Sequence, residues 1–201
     1  MSISILSYGL GNLGSVTNML KRVGADARLV STPAEVQQSE RLLLPGVGAF
    51  DAGMEALQAH GLVDAIRTFA RSGKPVMGIC LGMQLLLDGS AEGATEGLGL
   101  IPGVSVSFDD AQGLRVPHMG WNQVEMRRPD PLVADLPADS RFYFVHSYRV
   151  VPAREEDTLG VTTYGVPFAS MIRAGNVMGA QFHPEKSHDF GKQVLRNFAA
   201  L

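Results

Sequence analysis

The chain has a single cysteine, Cys80, in the segment Gly78-Ile79-Cys80-Leu81-Gly82. The apolar Lys74-Pro75-Val76-Met77-Gly78-Ile79 precedes it, and the helix-like Leu81-Gly82-Met83-Gln84-Leu85-Leu86-Leu87 follows. Gly-x-Cys-x-Gly between a strand and a helix is the pattern of a nucleophile elbow. Such a turn holds its nucleophile in strained backbone geometry, and glycines two residues to either side remove Cβ atoms that would collide. The turn also opens a helix, where free N–H groups and the macrodipole favour an anion, here a thiolate. The Leu81 N–H would then point at the oxyanion of a tetrahedral intermediate.

A cysteine nucleophile needs a base within hydrogen-bond reach. Of the five histidines, His60 falls at a helix break and His188 just before the last helix, both in exposed settings, while His118 and His146 lie in an irregular central third. His183 differs. It follows the apolar run Val177-Met178-Gly179-Ala180-Gln181-Phe182, at the C-terminal end of a strand, the edge where ligands gather in parallel sheets. Glu185 comes two residues later, with Pro184 between. On extended backbone, residues two apart point the same way, and proline stiffens the link. Glu185 can therefore orient one ring nitrogen and leave the other for Cys80. The elbow alone suits a redox-responsive thiol as well as a nucleophile. Glu185 discriminates, because a sensor thiol needs electropositive surroundings but no oriented base.

Strands and helices must bring these distant residues together. Ile3–Tyr8, Ala27–Val30, Arg41–Leu44 and Lys74–Ile79 read as strands, with Pro45-Gly46 stopping the third. Helical periodicity falls between them: after Asn12 (Val16, Met19, Leu20, Val23), after the cap Ser31-Thr32-Pro33, and from Phe50 to Ser72 with a break at His60-Gly61. Alternation of this kind means βαβ crossovers and a parallel sheet covered on both faces. From Gly97 to Gly175 the pattern changes to short strands between turns: Val104–Val106, Trp121–Val124, Phe142–Val145 and Thr158–Val161. These are expected as antiparallel or mixed additions to the same sheet. A strand over Asn176–Phe182 and a helix over Phe190–Leu201 close the chain. The fold expected is α/β: a single domain over 1–201, with a central mainly parallel (mixed) sheet, helices on both faces and a nucleophile elbow.

Composition narrows the function. The 201 residues are 45% hydrophobic and 18% charged, with 17 basic against 20 acidic side chains and a net charge of −3. That balance argues against a nucleic-acid binder. No apolar run reaches the roughly 18 residues of a membrane span, and the N-terminus lacks the basic region of a signal peptide. One cysteine excludes an internal disulfide or a multi-cysteine metal site and fits a reducing cytoplasm. Gly9-Leu10-Gly11-Asn12-Leu13-Gly14 has the spacing of a dinucleotide loop. The end of the second strand, Leu29-Val30-Ser31-Thr32, lacks the acid that such a site requires, so neither a cofactor nor a metal is expected. In Pro45-Gly46-Val47-Gly48, glycines flanking Val47 let a peptide plane rotate at little steric cost.

Gly78-Ile79-Cys80-Leu81-Gly82-Met83-Gln84 and His183-Pro184-Glu185 resemble the signatures of class I (triad-type) glutamine amidotransferases. Tyr8-Gly9-Leu10-Gly11-Asn12-Leu13, Val116-Pro117-His118-Met119-Gly120-Trp121-Asn122 and Tyr143-Phe144-Val145-His146-Ser147-Tyr148 narrow the resemblance. They are similar to stretches in the glutaminase subunits of imidazole glycerol phosphate synthase, of histidine biosynthesis. The resemblance covers essentially the whole chain; Ser90–Gly97 and Ala153–Asp157 match nothing. It implies that Cys80 attacks the side-chain amide of glutamine, that His183 protonates departing ammonia, and that water then releases glutamate from a thioester. It implies an oxyanion site at Val47, Gly48 and Leu81, and glutamine contacts from Gly46, Gln84, Ser147 and Tyr148. Ammonia freed in water is protonated, so it must pass directly to an acceptor site. The resemblance makes that partner the cyclase subunit, a (β/α)8 barrel forming a heterodimer with this chain. Asn12, His118, Trp121 and Tyr143 are candidates for the docking face or its gate. The alternative within the class is the glutaminase of another synthase, such as that of pyridoxal-phosphate synthesis; Met119-Gly120-Trp121-Asn122 argues against it.

Overall fold

The computed structural model describes residues 2–108 and 113–201. Strands β1 (Ser2–Leu6), β2 (Asp26–Val30), β3 (Leu42–Gly46) and β4 (Val76–Cys80) are parallel and lie in the order β2-β1-β3-β4. Between them run α1 (Leu13–Arg22), α2 (Pro33–Gln37), α3 (Phe50–Ala59) and α4 (Leu62–Arg71). Each start has a local cause. The Asn12 side chain accepts from the Ser15 N–H at the head of α1. Thr32 and Glu35 form a reciprocal capping box on α2, with Pro33 in the first turn. Gly61, at φ +64°, separates α3 from α4 where the sequence breaks.

Alternating side chains divide the core between the two faces of the sheet. Leu43, Ile3 and Ile5 pack with Val16, Leu195 and Phe198 on one face. Leu42, Leu44 and Leu6 pack with Phe50, Leu57 and Phe69 on the other. On the far side of β4 lies β13 (Val177–Ala180), also parallel to it. The sheet continues antiparallel through β12 (Val166–Ala174), β10 (Tyr148–Pro152) and β6 (Gly103–Ser107), and the short β5 (Gly89–Ser90) lies parallel to β6 at the edge. β11 (Thr158–Tyr164) pairs with β12 and with β8 (Glu125–Met126). Helix α5 (Leu81–Leu85) follows β4 directly, and α6 (His188–Ala200) closes the chain.

Two expectations are corrected. β3 does not stop at Pro45-Gly46 but runs through both. The Leu42 N–H donates to the Pro75 carbonyl, on the β4 side, so by alternation the Pro45 nitrogen faces β1, whose pairing has already ended at Leu43. A missing donor costs nothing there. Secondly, β7 (His118–Gln123) and β9 (Arg141–His146) do not extend the main sheet. They pair with each other, His118 opposite His146 through Gln123 opposite Arg141, as a separate antiparallel ribbon. Alternation marks which face of a strand is buried, not which sheet receives it.

Candidate active site

Cys80 ends β4 and α5 begins at the next residue. Its φ of 55° and ψ of −114° are strained for a residue with a Cβ. The flanking glycines are required by contact. A Cβ on Gly78 would strike the Gly82 backbone, and one on Gly82 would strike the Leu44 carbonyl. The elbow is thus wedged between β3 and its own helix.

Because β13 runs parallel beside β4, with Ala180 opposite Ile79, His183 emerges at the same sheet edge as Cys80. Glu185 reaches it differently from the extended geometry expected. Pro184–Lys186 form a 3-10 turn, which folds the carboxylate back so that Oε1 lies 2.8 Å from His183 Nδ1, with both side chains 3% exposed. Ser187 fastens this turn: its Oγ donates to the His183 carbonyl at 2.6 Å and accepts from the Tyr143 N–H at 2.9 Å.

The other nitrogen, Nε2, is buried with no conventional hydrogen-bond partner and has Cys80 beside it. Burial alone would push the imidazole down. Cys80 on one side and the Glu185 carboxylate on the other outweigh it, and the pKa rises from 6.5 to about 9. The ring is therefore an imidazolium at neutral pH, able to give up a proton. The Cys80 sulfur lies 3.8 Å from the Val145 carbonyl and 3.9 Å from Nε2 of Gln181.

These groups open onto a cavity of about 290 Å³, also lined by Val47, Gly48, Leu81, Gln84, Ser147 and Tyr148. A larger groove of about 510 Å³ lies along β10 and β12, and neither a cysteine nor a histidine lines it. Gly46 is not in the cavity wall but stands opposite Cys80 in the β3–β4 ladder. The Val47 and Gly48 N–H groups donate to no acceptor among the described residues. Gln84 is buried, and its Nε2 donates to the Tyr148 carbonyl at 3.2 Å and to Gln181 Oε1 at 3.1 Å.

Three supporting residues escaped the sequence reading. The buried Tyr8 hydroxyl donates to the Pro45 carbonyl at 2.8 Å. Burial and the nearby Cys80 hold its pKa well above the ordinary phenol value, so it remains a donor. Glu92 Oε2 accepts from the Phe50 N–H at 2.9 Å. Residues 47–49 therefore span the gap between two fastened points. Gln181, fully buried, joins Gln84 to the sulfur; a lone polar residue in an apolar strand was the available signal.

The docking candidates separate. Trp121 is 46% exposed, beside Met119 at 62%. Its ring stacks on His188 at 5.2 Å and meets Tyr143 edge-on at 6.2 Å. Tyr143 is tied to the site, since its carbonyl accepts from the His183 N–H at 2.9 Å. Asn12 is exposed but committed to capping α1. His118, only 3% exposed and bonded to His146, has no surface to offer as part of a docking face, which leaves the gate half of that expectation.

The family model described as glutamine amidotransferase class-I matches residues 5–201. A Pseudomonas aeruginosa protein named imidazole glycerol phosphate synthase subunit HisH 2 is 50% identical over 99% of both chains. A Wolinella succinogenes protein named imidazole glycerol phosphate synthase subunit HisH is 46% identical, again over 99% of each. The solved structure titled PurLQS from Thermotoga maritima shares the fold, with a TM-score of 0.76 at 20% identity over 98% of this chain and 96% of that one. No helix among the described residues is long and apolar enough to cross a membrane. By sequence over nearly its whole length, and by the fold that carries Cys80 to its sheet edge, the chain belongs to the class-I glutamine amidotransferases.

Proposed function

We propose that this chain is the glutaminase subunit of an imidazole glycerol phosphate synthase, releasing ammonia from glutamine for a cyclase partner. The observation that carries the chemistry is the buried Cys80–His183–Glu185 set, with Cys80 and His183 in the cavity wall and Glu185 behind the imidazole. Cys80 Sγ attacks the side-chain amide carbon of glutamine. The tetrahedral oxyanion is met by the Leu81 N–H at the head of α5 and by Val47 or Gly48 N–H groups, which have no other acceptor among the described residues. Each well-placed donor contributes about 3–4 kcal/mol to such a step. The imidazolium of His183 gives its Nε2 proton to the leaving nitrogen, Glu185 holding Nδ1 throughout. Water then attacks the γ-glutamyl thioester, with His183 as base, and glutamate leaves.

Gln84, Ser147 and Tyr148, which line the cavity, hold the amino-acid end of the substrate, with Gly46 behind them in the β3–β4 ladder rather than in contact with it. Both Nε2 protons of Gln84 are taken by Tyr148 and Gln181, which leaves Oε1 to accept from the substrate ammonium. The reaction as written calls for no metal or cofactor, since thiolate, imidazolium and backbone N–H groups supply its nucleophile, acid and oxyanion donors. The whole of residues 1–201 acts as one domain, in a reducing cytoplasm that keeps the thiol free.

The partner reading rests on relatives at 46–50% identity whose names make them subunits of that synthase, and on the exposed Trp121 and Met119 of the ribbon whose Tyr143 carbonyl accepts from the His183 N–H. We assign the cyclase, a (β/α)8 barrel in a heterodimer, to that face, with Tyr143 beside it. The test is glutamate formation from glutamine, with and without the cyclase, for the wild type and Cys80→Ala. Lost turnover in a variant that still forms the complex supports the reading. Turnover that survives in Cys80→Ala, or a wild type that no cyclase activates, overturns it.

A further inference from the structure

Two histidines have no part in the reaction above, and both are buried: His118 and His146. Nδ1 of His118 lies 2.9 Å from Nε2 of His146. The groups at the two ends of this pair determine where every proton sits. His146 Nδ1 is 2.8 Å from the Tyr148 carbonyl, which can only accept, so Nδ1 carries the hydrogen. On a neutral ring Nε2 is then an acceptor, and His118 must donate to it from Nδ1. His118 Nε2 is left bare and accepts from Nδ2 of Asn122 at 3.3 Å. That amide cannot turn over without loss, because Nδ2 also donates to the Thr163 carbonyl at 3.0 Å and Oδ1 accepts from the Gln123 N–H at 2.8 Å.

The surroundings favour the neutral pair. His118 is stacked between Phe144, at 4.8 Å, and Tyr164, at 4.1 Å, and burial pushes its pKa to about 4. Burial also pushes His146 to about 3, aided by the neighbouring His118 and His183.

The pair ends on the catalytic wall. The Tyr148 carbonyl that accepts from His146 also accepts from Gln84, whose amide is shared with Gln181, whose own Nε2 faces the Cys80 sulfur. Were the His146 proton on Nε2, the bare Nδ1 and the Tyr148 carbonyl would meet lone pair to lone pair, and the carbonyl would leave its place. We infer that His146 is a positioning residue for the glutamine site: His118 holds it in the Nδ1–H tautomer, in which it anchors the Tyr148 carbonyl and, through it, the Gln84 amide. The inference rests on the reading that the cavity takes glutamine, and it makes His118 and Asn122 the link between the exposed ribbon and the substrate.

Long-range proton–nitrogen spectra of the ¹⁵N-labelled full chain read the tautomer without any assay. The result expected is a protonated Nδ1 and a bare Nε2 at His146. A protonated Nε2 overturns the inference, even in a chain that turns over glutamine. Kinetics on the complex with the cyclase supply the second readout. His118→Phe keeps the stack and removes the donor, and should raise KM for glutamine about tenfold, the loss of one net hydrogen bond, with kcat nearly unchanged. His118→Asn, whose amide can stand where Nδ1–H stood, should restore most of it. An unchanged KM in His118→Phe, or a kcat loss that His118→Asn does not rescue, refutes the positioning role. A wild type with no glutamine turnover would refute the glutaminase reading instead and leave the spectrum to decide the tautomer.

Discussion

Glu185→Gln keeps the length and shape of the side chain that holds His183 and removes its charge. The magnitude follows from the geometry. The bond is 2.8 Å long with both side chains 3% exposed, so water screens it little. Hydrogen bonds to charged groups contribute about 1.5–3 kcal/mol, and the glutamine carbonyl can still accept a neutral bond from Nδ1. The charge on the imidazolium loses its stabilisation, so glutamine turnover should fall by about one to two powers of ten. The pH profile carries the sharper sign. Glu185 is one of the groups that raise His183 to about 9; without its charge the ring deprotonates at lower pH. In the proposed reaction the imidazolium is the acid for departing ammonia, so activity should decline as pH rises through the His183 pKa. In the wild type that decline falls near pH 9; in the variant it moves toward neutrality. Stability follows the same linkage. A raised histidine pKa contributes stability that is full below the unfolded value of about 6.5 and lost as pH rises through the folded one, and the variant should show less of that loss. Glutamate release measured from neutral to alkaline pH, with urea unfolding at the same pH values, checks both. An alkaline limb that coincides with the wild type would refute the pairing of Glu185 with a charged His183.

Gly82→Ala drives a Cβ into the Leu44 carbonyl, a backbone atom with no room to yield; overpacking of this kind costs about 1–3 kcal/mol, read as a lowered urea midpoint at unchanged slope. Trp121→Ala removes the exposed aromatic beside Met119. If the cyclase docks there, affinity should fall by about 2 kcal/mol or more, while alkylation of Cys80 in the free chain proceeds at the wild-type rate.

The parallel half of the fold was legible because its signals are local. Thr32 and Glu35 mark a helix start, Gly61 marks a break, and β-rich runs alternate with helical periods. The antiparallel half was only half visible. Arg141–His146 carries alternation and Thr158–Tyr164 is rich in strand-forming residues, but the sequence does not say that the second joins β12 while the first leaves the sheet to pair with β7. Tyr148–Pro152 and Val166–Ala174 were missed as strands: prolines sit in both, and β10 meets β12 at a single pair, Val150 with Ala169. Partner choice is a long-range decision, made by which buried face fits which neighbour.

The site divides along the same line. That Cys80, His183 and Glu185 come together was legible in the sequence, because the nucleophile, base and orienting acid proposed for them each need a fixed local setting. Tyr8 and Glu92 were not legible there, and Gln181 only as a polar residue in an apolar run, because each acts on a residue far away in the chain: Tyr8 on Pro45, Glu92 on Phe50, Gln181 on Cys80 and Gln84. Tyr8 and Glu92 matter for a shared reason. A peptide that must aim its N–H at a transient oxyanion needs fixed ends and a free middle. Tyr8 fixes the chain before Val47 and Glu92 fixes it after Ala49, while Gly48, at φ +114°, occupies backbone space that other residues rarely enter. Rotation is thereby confined to the peptides whose N–H groups have no other acceptor among the described residues. The proposed oxyanion site is therefore built less by the residues that would donate to it than by the two side chains that hold their neighbours in place.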